Sequence, residues 1–190
     1  MAGNCNNSIL LITGPPGIGK TTLVRQLCKE LIESHKIVCR GFYTNEIRNS
    51  SRQRIGFDVV TVNNDRKATL ARSEVNHRGP YVGKYAVFVK KFEDLVLPLL
   101  RIREAPQLLV LDEIGKMELK SKKFESAVYA CLDARITILA TIPFELRQPI
   151  PLVEKLKSLC QNKIVVVTKE NRNQLPYEIL ENILNIIQRT

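Results

Sequence analysis

Tryptophan is missing from this chain of 190 residues, and histidine and methionine occur only twice each. Neither His35 nor His77 has a partner at metal-ligand spacing, so both read as surface residues rather than parts of a metal centre. The five cysteines (Cys5, Cys28, Cys39, Cys131, Cys160) contain no C-x-x-C pair. An odd, scattered set argues against a disulfide framework and suits a reducing compartment. No apolar run approaches the ~20 residues of a membrane span. The opening MAGNCNNS has neither the basic and apolar regions of a secretory leader nor the Gly that myristoylation needs after Met. A cytoplasmic location with no membrane partner is therefore expected. Zinc-binding and helix-turn-helix signatures are absent, as is the aromatic–basic interleaving of single-strand binders.

What is present is an ordinary globular composition, 44% apolar and 25% charged, with a formal net charge of +10. The length suits one domain over 1–190 with its own core, with residues 1–7 expected to be flexible. The charge is concentrated. Residues 40–91 hold eleven Lys/Arg against four Asp/Glu, a basic segment able to attract a polyphosphate or nucleic acid. Nucleic acid is not the expected partner, but the charge does not exclude it. Nothing in the pattern calls for an oligomer, and a monomer is expected.

Hydrophobic patterning organises the chain. SILLIT (8–13) is a short apolar run of the kind buried on both faces of a sheet. Leu23, Leu27 and Leu31, with Val24, Cys28 and Ile32 beside them, form one helical stripe that ends before Ser34. Residues 37–43 and 55–62 read as strands joined by the polar RNSSRQR, a β-hairpin, and 81–89 alternates as a further strand. FEDLVLPLLRI has helical spacing that Pro98 should bend or end. Apolar strands follow at 107–112, 136–142 and 163–168, with helical patterns at 121–133, 152–161 and 175–188. Strands alternating with helices predict an α/β fold, a mostly parallel central sheet with helices on both faces. The basic segment 40–91 interrupts that alternation as an antiparallel β insertion.

Between the first strand and the first helix lies GPPGIGKT (Gly14, Pro15, Pro16, Gly17, Ile18, Gly19, Lys20, Thr21), a full match to G-x-x-x-x-G-K-[ST] in its required context. The glycines let the backbone turn tightly and bring N–H groups to phosphate oxygens. The helix N-terminus adds its positive dipole end. Lys20 supplies a mobile charge for the β- and γ-phosphates, Thr21 can sit on Mg²⁺, and Thr22 is a further α-phosphate contact. The segment predicts a bound nucleotide phosphate chain.

QLLVLDEIGK carries Asp112 to the C-terminal end of a buried strand, where a doubly wound sheet binds its ligand. Asp112 is thus placed to hold Mg²⁺ opposite Thr21. Glu113, one residue on, is placed to orient and deprotonate a water in line with the γ-phosphate. Lys116 either reaches a phosphate, pairs with a carboxylate, or heads the next segment as a surface lysine.

The stretches TGPPGIGKTTL, GFYTNEIR…RIGFDVVTV, VGKYAVFV…FEDLVLPLLR, LVLDEIGKMEL, ILATIP and VTKENRN, in this order, resemble the cancer-related nucleoside-triphosphatase family, and the similarity runs from about residue 8 to residue 180. The resemblance implies a RecA-like P-loop fold. It also implies a Mg²⁺-dependent hydrolase that cleaves ATP, GTP, CTP, UTP and similar triphosphates to the diphosphate with loose base preference. Carried over by position, the nucleotide site comprises Gly14 to Thr21 and Leu109, Val110, Leu111, Asp112, Glu113, Ile114, Gly115 and Lys116.

Other residues are candidates from position alone. Thr141 ends a strand, where it either senses the γ-phosphate or simply closes the strand. Lys169, Asn171 and Arg172 follow the last strand, where they either contact a purine or cap a loop. Arg172 is the first candidate for a charge-neutralising arginine, and Arg48, Arg52 and Arg54 of the hairpin are the second. Two other readings stay open. A kinase would use Glu113 on an acceptor hydroxyl, and a nucleotide-controlled module would bind RNA or protein through the basic lobe.

Overall fold

The structure, a computed structural model, describes residues 9–73, 75–160 and 164–188; the expected flexible segment 1–7 lies outside them, as do Cys5 and Lys163. Among the described residues, nine strands make one sheet. They are β1 (Ile9–Thr13), β2 (Cys39–Arg48), β3 (Arg54–Thr61), β4 (Lys67–Arg72), β5 (Tyr81–Val82), β6 (Tyr85–Val87), β7 (Leu108–Asp112), β8 (Ile138–Thr141) and β9 (Ile164–Val166). The spatial order is β5-β6-β4-β3-β2-β7-β8-β1-β9. The half β2-β7-β8-β1-β9 is parallel throughout, and β3, β4, β6 and β5 extend it by antiparallel pairing.

Strand alternation decides which helices cover which face. Leu10, Ile12, Leu108, Val110 and Leu139 pack with α1 (Lys20–Glu33) and α5 (Leu175–Gln188). Ile9, Leu11, Leu109, Leu111, Ile138 and Ala140 point the other way, toward α2 (Val89–Val96), α3 (Lys122–Asp133) and α4 (Pro151–Leu159). On that second face Phe42, Phe92 and Phe124 meet edge to face at 5.1–5.8 Å between centroids, the arrangement that ring quadrupoles favour.

Several expectations shift in detail. The hairpin turn spans 49–53, and β2 belongs to both halves, pairing β7 along its first residues and β3 along the rest. The insertion is therefore an extension of the sheet rather than a separate ribbon. Residues 81–89 are two short strands and not one, because the chain reverses at Gly83 between β5 and β6. β4 has no counterpart in the sequence reading. Pro98 ends α2 as expected, and the chain continues as a 3-10 turn over Leu97–Leu100. His77 is not a plain surface residue. Its Nε2 lies 3.1 Å from the Val87 carbonyl oxygen and its ring packs on Phe88.

Candidate active site

Because β1, β7, β8 and β9 are parallel, their C-terminal ends share one edge, and everything the sequence marked as chemical converges there. Loop 14–19 leaves β1 with Gly14 at φ +153°, where a Cβ would stand 2.7 Å from the Val167 oxygen. The loop can lie against the chain after β9 only with glycine in that position. Gly19 leads directly into α1, whose first turn has no acidic residue and no side-chain cap. Its N–H groups are thus left for an anion. Lys20 Nζ donates to the Gly14 oxygen at 2.9 Å and lies 4.0 Å from Glu113 Oε2.

Asp112 is buried at the end of β7. Its Oδ1 accepts the Thr141 hydroxyl, its main-chain oxygen accepts Thr44 Oγ1 at 2.9 Å, and its Oδ2 is buried with no hydrogen-bond partner among the described residues. Burial pushes the carboxyl above the ordinary range, opposed by Thr141, Thr21 and Lys20. A divalent cation fits this arrangement. The orphaned Oδ2 needs a positive partner, and the Thr21 hydroxyl is close enough to act on the same carboxylate. No cluster of three or more His, Cys, Asp or Glu forms a protein-only cage among the described residues. One carboxylate and one hydroxyl completed by substrate phosphates is the mode Mg²⁺ commonly uses.

Glu113, about a third exposed, stands at the rim. Burial raises its pKa, Lys20 opposes that, and Asp112 adds to it. Glu118 is a second, fully enclosed carboxyl. Its Oε2 accepts the Gly115 N–H at 3.2 Å, and burial together with the Glu113 charge pushes it up to about 8. A Cβ on Gly115 would stand 2.9 Å from Glu113 Oε1 and 3.0 Å from Glu118 Oε2, so this glycine lets the two carboxylates approach. Lys20, Thr21, Thr44, Glu113 and Glu118 line a cleft of about 1130 Å³, and Asp112 is buried behind them. The phosphate loop walls one side, residues 44–46, Arg54 and Phe57 another, and residues 143–147 a third.

The expected site residues divide by what their side chains touch. Gly14, Pro15, Pro16, Gly17, Gly19, Lys20, Thr21, Thr22, Glu113 and Lys116 line the cleft. Leu109, Val110, Leu111 and Ile114 do not, because their side chains fill the core on the two faces of the sheet. Ile18 likewise packs inward. These five support the site as scaffold. Thr141 is spent on Asp112. Asn171 caps its loop, accepting from Thr168 N at 2.8 Å and donating to the Val166 oxygen at 2.8 Å, while Lys169 and Arg172 are exposed and stand off the cleft wall. Thr44, Arg25 and Glu118 were not singled out in the sequence. A polar residue ending a buried strand pattern marks Thr44 in hindsight; nothing local marks the other two.

Phosphate-loop nucleoside triphosphatases of the RecA-like kind are the class in which the loop strand and the carboxylate strand share an edge with one strand between them, as β8 lies here between β1 and β7. The comparisons narrow that class. A family model described as NTPase matches residues 9–180, and the chain belongs to this NTPase family. It is 42% identical over 181 residues to the human cancer-related nucleoside-triphosphatase, covering 90% of this chain and 94% of that one. It is 36% identical over 188 residues to the nucleoside-triphosphatase THEP1 of Aquifex aeolicus, covering 95% and 99%. The crystal structure of THEP1 from that hyperthermophile superposes with a TM-score of 0.76 at 34% identity, covering 92% of this chain and 98% of the other.

Proposed function

We propose that this chain is a Mg²⁺-dependent nucleoside triphosphatase that hydrolyses ATP, GTP, CTP and UTP to the diphosphate and phosphate with loose base preference. The observation that carries the reading is Asp112, buried with one oxygen unpartnered, between the Thr21 hydroxyl and a Glu113 that opens onto the cleft. The relatives' names support it, since each is called a nucleoside-triphosphatase.

The phosphates settle on the free N–H groups of the loop and of the first turn of α1. Lys20 gives up the Gly14 oxygen for phosphate oxygens, where its charge offsets that of the transferring group. Thr21 and Asp112 would hold Mg²⁺, which when bound would add charge neutralisation on the phosphates. Glu113 accepts a proton from the attacking water, and its raised pKa brings it nearer to neutrality, where a general base is most effective. The base would extend beyond the cleft wall toward the loop that follows β9 and packs on Gly14, where Lys169 and Arg172 are exposed. The chain works as a cytoplasmic monomer in this reading. No helix among the described residues is long and apolar enough to cross a membrane.

A second reading has an observation in its favour. Phe57, Val82, Phe144 and Leu146 give the cleft apolar walls, which water does not need and an organic acceptor hydroxyl would use. One experiment separates the two. The protein with Mg²⁺ and each of the four triphosphates should release inorganic phosphate from several, without any acceptor. Diphosphate and a phosphorylated acceptor that form only when a nucleoside or nucleotide acceptor is added, with no inorganic phosphate, would favour the kinase, and no diphosphate under either condition would defeat both.

A further inference from the structure

Triphosphate hydrolysis spreads negative charge over the transferring phosphoryl group, and a positioned arginine there is worth about 10³–10⁵ in rate. The three hairpin arginines have different surroundings. Arg52 sits in the turn, exposed, at φ +59°. Arg48 is 53% exposed and donates to the Arg52 oxygen at 2.7 Å. Arg54 alone of the three lines the cleft, on a wall shared with Asn45, Glu46 and Phe57.

Its setting looks built for an anion. Glu46 Oε2 holds the Arg54 guanidinium at 2.5 Å, and Oε1 of the same carboxylate holds Arg48. One negative charge therefore serves two positive ones. The guanidinium lies over the Phe57 ring at 5.5 Å, and Arg54 Nε is buried with no hydrogen-bond partner among the described residues. A guanidinium has five N–H donors in a planar fork that matches phosphate. Glu46 and Phe57 fix the plane of that fork, and the side chain stays 40% exposed on the cleft wall.

We propose that Arg54 is the charge-compensating arginine of this chain, donating to the γ-phosphoryl group of the bound triphosphate, with Glu46 as its positioning residue. The proposal rests on the triphosphatase reading above. Water oxygen bonds to the γ-phosphorus, its proton passes to Glu113, and the bond from the γ-phosphorus to the β–γ bridging oxygen breaks. The diphosphate departs with that oxygen. Arg54 stabilises the equatorial oxygens of the group in flight together with Lys20, which lines the same cleft.

The test compares the full chain with Arg54→Ala, Arg54→Lys, Glu46→Gln and Arg52→Gly. Two quantities are read, MgATP turnover and the affinity for MgADP with and without aluminium fluoride, which mimics the phosphoryl group in transfer. Arg54→Ala should lower kcat about 10²–10³-fold while KM and MgADP affinity stay close to the parent's. The aluminium fluoride complex should weaken in step with kcat. Arg54→Lys keeps a charge for Glu46 but not the fork, and should lose about tenfold or more. It also decides the matter if Arg54→Ala does not fold. Glu46→Gln should fall between Arg54→Lys and the parent, and Arg52→Gly should match the parent. Full kcat in either Arg54 variant, or unchanged aluminium fluoride affinity, overturns the proposal alone. A parent chain that releases no phosphate overturns the triphosphatase reading with it.

Discussion

The parallel half of the sheet and its antiparallel extension solve different problems. Every residue of β1, β7 and β8 is buried, as strands covered by helices on both faces must be. Their ends are tied to one another. Ile114 N donates to the Thr141 oxygen at 2.9 Å, Ile142 N to the Ile12 oxygen at 3.0 Å, and Val167 N to the Thr13 oxygen at 2.8 Å. That holds the phosphate loop and Asp112 in a fixed relation, which phosphoryl transfer needs because it depends on positioning more than on covalent chemistry. The extension is half exposed: no residue of 44–48 in β2 is buried, and in β4 only Leu70 and Ala71 are. Its polar side chains are occupied by ion pairs such as Arg72–Asp58 and Arg54–Glu46. The buried edge carries the proposed catalytic groups, and the half-solvated flank supplies one wall of the cleft.

The sharpest break would come at the rigid edge. Glu113→Gln should reduce turnover about 10²–10⁴-fold while leaving nucleotide binding nearly intact, measured by phosphate release beside equilibrium binding of a non-hydrolysable triphosphate. Turnover that survives the change would move the base elsewhere. Stability should divide along the same line. Leu111→Ala, fully buried in β7, should cost about 2–5 kcal/mol in urea unfolding. Phe57→Ala, half-buried in β3 and edge-on to Tyr85 at 5.3 Å, should cost about 1 kcal/mol. Equal losses would erase the contrast.

Glu118 sharpens the comparison through pH. Folded, its pKa is about 8; unfolded it reverts toward 4.5. Between those values the unfolded chain releases a proton that the folded chain keeps. This contribution to stability is therefore full below pH 4.5 and is lost as pH rises toward 8, by at most about 1.4 kcal/mol per pH unit. Glu118→Gln should remove that decline, so wild type and variant should diverge as pH rises in paired unfolding curves. Parallel curves would show that the carboxyl titrates normally. The smallest effect belongs to the helix packed behind the carboxylate loop. Ser121 Oγ accepts Phe124 N at 3.0 Å as the N-cap of α3, and Ser121→Ala should cost about 1 kcal/mol with turnover unchanged.

Much of this was legible in advance wherever the information was local. The strand, loop and helix from Ile9 to Glu33 form one contiguous unit, and the four-residue spacing of Leu23, Leu27 and Leu31 reads directly as a helix face. The same holds for α3 and α5 and for Pro98 at the end of α2. Short or turn-broken strands were harder. Lys67–Arg72 has only six residues and little apolar signal, and the reversal at Gly83 is hidden inside what looks like one alternating run. Within the site, residue type and chain position identified Lys20, Thr21, Asp112 and Glu113 as candidates, because their spacing follows the loop and the strand end. The family resemblance added Leu109, Val110 and Leu111, whose side chains belong to the core.

The sequence by itself determined that a phosphate loop stands between a strand and a helix, and that a pair of carboxylates ends another buried strand. Those are properties of neighbouring residues, set by periodicity, glycine and charge. Only the tertiary structure decided that Thr141 would be spent on Asp112, that Glu118 would be enclosed beside Glu113, and that Arg54 rather than Arg48 or Arg52 would face the cleft. Each of those outcomes depends on which strands become neighbours and on which side of a strand a residue falls. Neighbour order comes from the packing of helices on both faces of the sheet, and no short stretch of sequence contains it.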